Sequence, residues 1–132
     1  GYSSSGYNLG QLLHLADLLH SLHCYHVQGK KGKDGPARFL GNEFLNIMAE
    51  QPLEGINRLR ERMAFYLGWA RTACGMKRVA GILNAYERIA PKVASGELAE
   101  TFGPKEQALV FLGYIGEIPE TKESEGLANE TE

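Results

Sequence analysis

The chain has 132 residues, 43% of them hydrophobic and 23% charged, with a formal net charge of −2. That length suffices for one domain with its own core and not for two ordinary ones, and the composition excludes a disordered chain. The near-neutral balance excludes a chain-wide basic character, and no apolar run reaches the roughly 18 residues of a membrane span.

Residues 1–7 (GYSSSGY) are small and polar and are expected to form a flexible N-terminal end. The opening Gly1-Tyr2-Ser3, without Met, reads as the start of an internal segment or a processed product. No charged-then-apolar leader pattern follows it. Asn8 is the expected N-cap of a first helix over 9–27. There Leu9, Leu12, Leu13, Ala16, Leu19, His20, His23, Cys24 and Val27 recur at helical spacing. Leu15, Leu18 and Leu22 add apolar surface on the far side, the pattern of a central helix covered by several neighbours. A basic loop with Lys30, Lys31 and Lys33 follows over 28–37.

Asn42 is the expected cap of a short helix over 43–50 that stops before Pro52. Pro52 then opens a helix over 53–74, since its missing N–H costs nothing in a first turn. The core stripe of that helix is Ile56, Leu59, Met63, Tyr66, Ala70 and Ala73, and Gly75 is its expected C-terminal stop. A further helix is predicted over 77–95, with Pro91 kinking it or ending it near Ala90. Gly103-Pro104 opens the last helix, 104–115, whose end Gly113 and Gly116 weaken. No segment alternates like a half-buried strand over more than a few residues. The fold class is therefore all-α, a compact bundle of four or five helices over 8–117. An acidic, disordered tail over 118–132 is expected to follow.

The charges are unevenly spread. Residues 1–29 carry only Asp17, residues 30–92 carry 12 Lys or Arg against 6 Asp or Glu, and residues 93–132 carry 2 Lys against 9 Glu. A basic centre beside an acidic end matters because local potential steers a polyanion. Within the centre, Arg58, Arg62, Phe65 and Trp69 follow i, i+4, i+7, i+11 and share one helix stripe. Arg60 and Arg71 fall on the other flank, and Lys77 and Arg78 start the next helix against the macrodipole. Cations interleaved with aromatic rings suit single-stranded nucleic acid, the cations meeting phosphates and the rings offering stacking faces. The same stripe also fits rings packed under a neighbouring helix with ordinary solvated arginines.

Other chemistry is thinly represented. Cys24 and Cys74 are too few to staple a scaffold and read as reduced thiols of a cytoplasmic protein. The first helix holds all four histidines, His14, His20, His23 and His26, and i,i+3 or i,i+4 pairs can present ligands to zinc. A fourth ligand is not supplied, however, so packing or a subunit contact accounts for them better. No nucleophile elbow, phosphate-cradling Gly loop, HExxH or CxxC occurs, so neither an enzyme nor a cofactor is expected.

The stretch NLGQLLHLADLLHS, residues 8–21, resembles the start of the C-terminal helical region of the type I-C CRISPR large subunit, through Leu9, Gly10, Leu12 and Leu13. The stretch LAETFGPKEQALVFLGYIGE, residues 98–117, resembles that region's ending, through Glu106, Gln107, Leu112, Gly113 and Tyr114. Between them lie a loop, a short helix around Phe44 to Met48, then Pro52 and an Arg-rich helix, in the same layout. The family continues past Gly-Tyr with another Tyr and His-Gln-Arg, where this chain has Ile115-Gly116-Glu117.

The resemblance implies a free small subunit of a Cascade-type antiviral surveillance complex. Such a subunit is a helical bundle without catalytic activity. It packs beside the backbone and large subunits, sister small subunits and the guide RNA. It helps hold target DNA, including the displaced strand, while a recruited nuclease-helicase cuts. The alternative reading is a helical protein-interaction module without a nucleic-acid role, docking through its apolar excess.

Overall fold

In the computed structural model, residues 4–28, 40–73, 75–93 and 97–122 are described, and within them all regular structure is helical. Helix α1 (Ser5–Gln28) lies at the centre and touches each of the other four: α2 (Gly41–Glu50), α3 (Pro52–Thr72), α4 (Lys77–Ile89) and α5 (Pro104–Ile115). Its buried residues Leu9, Leu12, Leu13, Leu15, Ala16, Leu18, Leu19 and Leu22 point around most of the helix, as a central helix requires.

Helix α1 starts inside the stretch expected to be a loose end, and Asn8 is a buried helical residue rather than its cap. Ser4 takes the capping role. Its hydroxyl accepts the Tyr7 N–H at 3.1 Å, and its carbonyl accepts the Asn8 N–H at 3.0 Å. The extra turn is held by α5. A Cβ on Gly6 would stand 2.6 Å from the Glu106 carbonyl oxygen, so only glycine lets the backbones meet there. The same device recurs one turn on, where a Cβ on Gly10 would stand 2.0 Å from the Val110 carbonyl oxygen. From the other side, a Cβ on Gly113 would stand 2.0 Å from the Tyr7 carbonyl oxygen. Gly113 is thus a close-approach residue of α5 more than a weak point in it.

Helix α2 starts at Gly41, two residues before the expected position, and Asn42 is exposed without a capping bond. Its cap comes from another helix. Buried Asp17 of α1 accepts the backbone N–H of Leu40 and, at 3.3 Å, that of Gly41, while the Tyr114 hydroxyl of α5 donates to its second oxygen. Desolvation pushes the Asp17 carboxyl above its ordinary value despite these bonds, and pushes the Tyr114 hydroxyl upward as well. His14 Nδ1–H donates to the Tyr114 carbonyl at 2.7 Å, adding a second tie between α1 and α5.

Pro52 and Pro104 open α3 and α5 as their positions predict. Helix α3 ends at Thr72 with Ala73 as C-cap, earlier than expected, and Gly75 does not adopt the left-handed conformation. Pro91 ends α4 at Ile89, followed by a 3-10 turn over Ala90–Lys92.

The bundle continues past residue 117. Ile118 and Thr121 are fully buried, and Pro119–Thr121 forms a 3-10 turn against α4. A Cβ on Gly81 would stand 2.2 Å from the Glu120 carbonyl oxygen, so that glycine makes room for the turn. Arg88 holds it with two bonds to the Glu120 carboxylate, at 2.5 and 2.8 Å. Only residues 123–132 of the expected acidic tail lie outside the described residues.

Candidate nucleic-acid interface

The short α2 and the longer α3 form two walls of a surface groove of about 550 Å3. Gln51 alone separates the helices, and Gly55 lets them close. A Cβ there would stand 2.7 Å from Met48 Cγ and 2.8 Å from Met48 Cα. The walls are Glu43, Phe44 and Ile47 from α2, and Arg58, Glu61, Arg62 and Phe65 from α3. The i,i+4 spacings of Glu43 with Ile47 and of Arg58 with Arg62 place these side chains along one line on each helix. Phe65 is 62% exposed, a phenyl ring left largely open to solvent on the groove wall.

The groove does not carry the bare positive charge that the arginine spacing implies. Arg62 bonds both oxygens of Glu43 across the groove, at 3.0 and 3.2 Å, and its guanidinium lies 5.7 Å from the Phe44 ring centroid. Arg58 bonds Glu54 one turn back at 2.7 Å. These pairs sit at the surface, where each is worth about 0–1 kcal/mol, so an arriving anion of good geometry can replace the carboxylate. With exposed Phe65 on the same wall as Arg58 and Arg62, the groove can meet a phosphate and a flat ring together.

The remaining candidates are dispersed. Trp69, on the same stripe, leaves the groove and packs half-buried against α1. Its ring lies 5.3 Å from His23, edge-on, and 6.4 Å from His26, nearly parallel. It is a packing residue between helices, which removes it from the groove assignment. Arg60 lies on the far flank of α3 and donates to the Val93 carbonyl at 3.1 Å, tying down the chain after α4. Arg71 is exposed on that same flank. Lys77 is exposed and Arg78 half-buried at the start of α4, away from the groove walls, and both already have interaction partners. Lys30, Lys31, Lys33 and Cys74 lie outside the described residues.

Beside the groove, the last turns of α1 meet α3 in a cluster of rings that the one-dimensional pattern did not disclose. His23 packs edge-on against Phe65, Tyr66 and Trp69, with centroids 5.0, 5.7 and 5.3 Å away. His20 Nδ1 is 2.6 Å from the Tyr66 hydroxyl, and the free thiol of Cys24 is 3.9 Å from His20 Nε2. Burial raises the Cys24 and Tyr66 values and lowers that of His23. Among the described residues, no group of three or more His, Cys, Asp or Glu side chains is placed to hold a metal ion. The signal that could have shown the cluster was the match in phase between His20/His23 and Phe65/Tyr66/Trp69.

A lowered histidine value has a defined sign. The unfolded chain takes up the proton first, so His23 contributes fully above its ordinary value of 6.5 and the contribution is lost as pH falls below it. In His23→Phe, the fall in urea midpoint between pH 7 and pH 5 is expected to be shallower than in the parent chain. An unchanged slope would remove His23 from the titrating set.

No protein family, curated protein or solved structure matches this chain.

Proposed function

We propose that this protein is a non-catalytic helical subunit of a Cascade-type RNA-guided surveillance complex, which holds single-stranded target DNA along the α2–α3 groove. The observation that carries the reading is the grouping of Arg58, Arg62 and exposed Phe65 on one groove wall. Such a wall offers phosphate contacts and a stacking face without reading sequence. The resemblance adds support through the fold. The two stretches that carry it, 8–21 and 98–117, contain Gly10, Gly113 and Tyr114, which set the closeness of α1 and α5 and the bond to Asp17. No helix among the described residues is long and apolar enough to cross a membrane, and we place the complex in the cytoplasm.

Fluorescence anisotropy with labelled single-stranded DNA, at two salt concentrations, tests the reading on the chain alone and with its co-purifying partners. Salt-sensitive, sequence-tolerant binding is expected. Replacing Arg58 and Arg62 with glutamine is expected to weaken it and to lower the log–log salt slope by about 0.7 to 0.9 per lost phosphate contact. Glutamine at Lys77 and Arg78 extends the series to α4. An unchanged slope with all four replaced would reject the assignment of these side chains.

A second reading, a protein-docking module, is favoured by one observation: Arg58, Arg60 and Arg62 are already bonded within the chain. In that reading Phe65, Phe44 and Ile47 form the apolar floor of a contact, with the ion pairs as its rim. Absence of DNA binding both alone and in the complex would select it.

A further inference from the structure

Helix α5 is apolar on two opposite sides. Its inner side, with Leu109, Val110 and Gly113, is buried against the bundle. Its outer side carries Ala108, Phe111, Leu112 and Ile115 at i, i+3, i+4 and i+7, and all four are exposed, Ile115 by 73%. This is the spacing of a helix face that packs on another helix. A contiguous exposed apolar face on a monomer often marks a contact surface. None of the described residues buries this face, and the α2–α3 groove does not include it.

We infer that this face pairs with the same face of a second copy of the chain, the two α5 helices running antiparallel about a two-fold axis near Phe111 and Leu112. The charges at its ends select that occupant. No charged residue falls between Glu106 and Glu117, so the face offers no ionic grip to a strongly charged partner. Exposed Lys105 stands at its N-terminal end and exposed Glu117 just past its C-terminal end. Antiparallel two-fold pairing sets Lys105 of each copy beside Glu117 of the other, whereas parallel pairing sets like charges together. Four apolar side chains are far fewer than the roughly 20–30 residues a side of a standard interface, so the dimer is weak and reversible. The inference is independent of nucleic-acid binding.

Sedimentation of the full chain over a concentration series tests it. Half-dimerisation is expected between about 10 µM and 1 mM, the range of weak contacts. Ile115→Glu is expected to raise the dimer Kd about tenfold or more while leaving the helical spectrum intact, since the residue lies outside the core. Lys105→Glu and Glu117→Lys are each expected to weaken pairing, and the double reversal to restore it. That rescue belongs to self-pairing, because only a second copy carries the compensating change. A chain that stays monomeric to about 1 mM, an Ile115→Glu variant that pairs as before, or a double reversal without rescue would each overturn the inference.

Discussion

Gly10→Leu is expected to remove about 3 kcal/mol or more of stability, a large share of what a domain of this size holds. The cause is backbone, not side chain. The first atom of any side chain at Gly10 would stand 2.0 Å from the Val110 carbonyl oxygen and 2.7 Å from the Tyr114 nitrogen. Neither can swing aside as a side chain would, so α1 and α5 must separate, and the leucines between them lose contact. Gly68 supplies the control. It lies inside α3, is exposed, and has nothing within 4 Å of an added Cβ. Gly68→Ala is therefore expected to stabilise by about 0.5–1 kcal/mol, through helix propensity and a less flexible unfolded chain. Urea denaturation followed by circular dichroism reads both. A Gly10→Leu chain with a parent-like midpoint would mean that the helices are not in backbone contact.

Asp17→Ala is expected to cost about 3–5 kcal/mol, because three donors lose their acceptor: the Leu40 and Gly41 N–H groups and the Tyr114 hydroxyl. The loss frays the start of α2 and with it the Glu43 side of the groove. Asp17→Asn keeps an acceptor and is expected to cost less. The two forms also differ in pH response. Burial raises the folded value of Asp17 above 3.8, so the unfolded chain releases its proton first. The group then favours the fold most below 3.8, and this advantage declines as pH rises through the folded value. Asn has no such decline. The stability gap between parent and Asp17→Asn is therefore expected to narrow as pH rises from about 4 to 7. A gap that is flat across that range would show that Asp17 titrates alike in both states.

The parts of the fold that follow local rules were legible in the sequence. Pro52 and Pro104 start their helices, Pro91 stops α4, and the leucines around α1 announce a central helix, because each signal acts within a turn or two of itself. The misplaced boundaries depend on residues far apart in the chain. Helix α1 gains its first turn from a glycine contact with α5, and α2 is capped by Asp17 rather than by the nearby Asn42. The segment after residue 117 is held by Ile118 and by Arg88, which an acidic composition conceals. The same distinction divides the site. Arg58, Arg62 and Phe65 share a stripe by helical spacing alone, and they share the groove. Glu43, which bonds Arg62 across it, comes from another helix, and Trp69 is drawn off by the rings of α1.

The pairing of α1 with α5 also sets the order in which the protein can form. His14 bonds a carbonyl 100 residues further along, and the covering face of α1 is completed only by the last long helix. An all-helical chain normally folds from local contacts and does so fast, whereas here one face of the central helix must wait for a partner far along the chain. On the ribosome, α1 emerges before α5, and the face of α1 that meets α5 stays uncovered until residues 104–115 have followed it out. Until then that apolar face is open to wrong contacts, for a time set by translation and not by the search for structure.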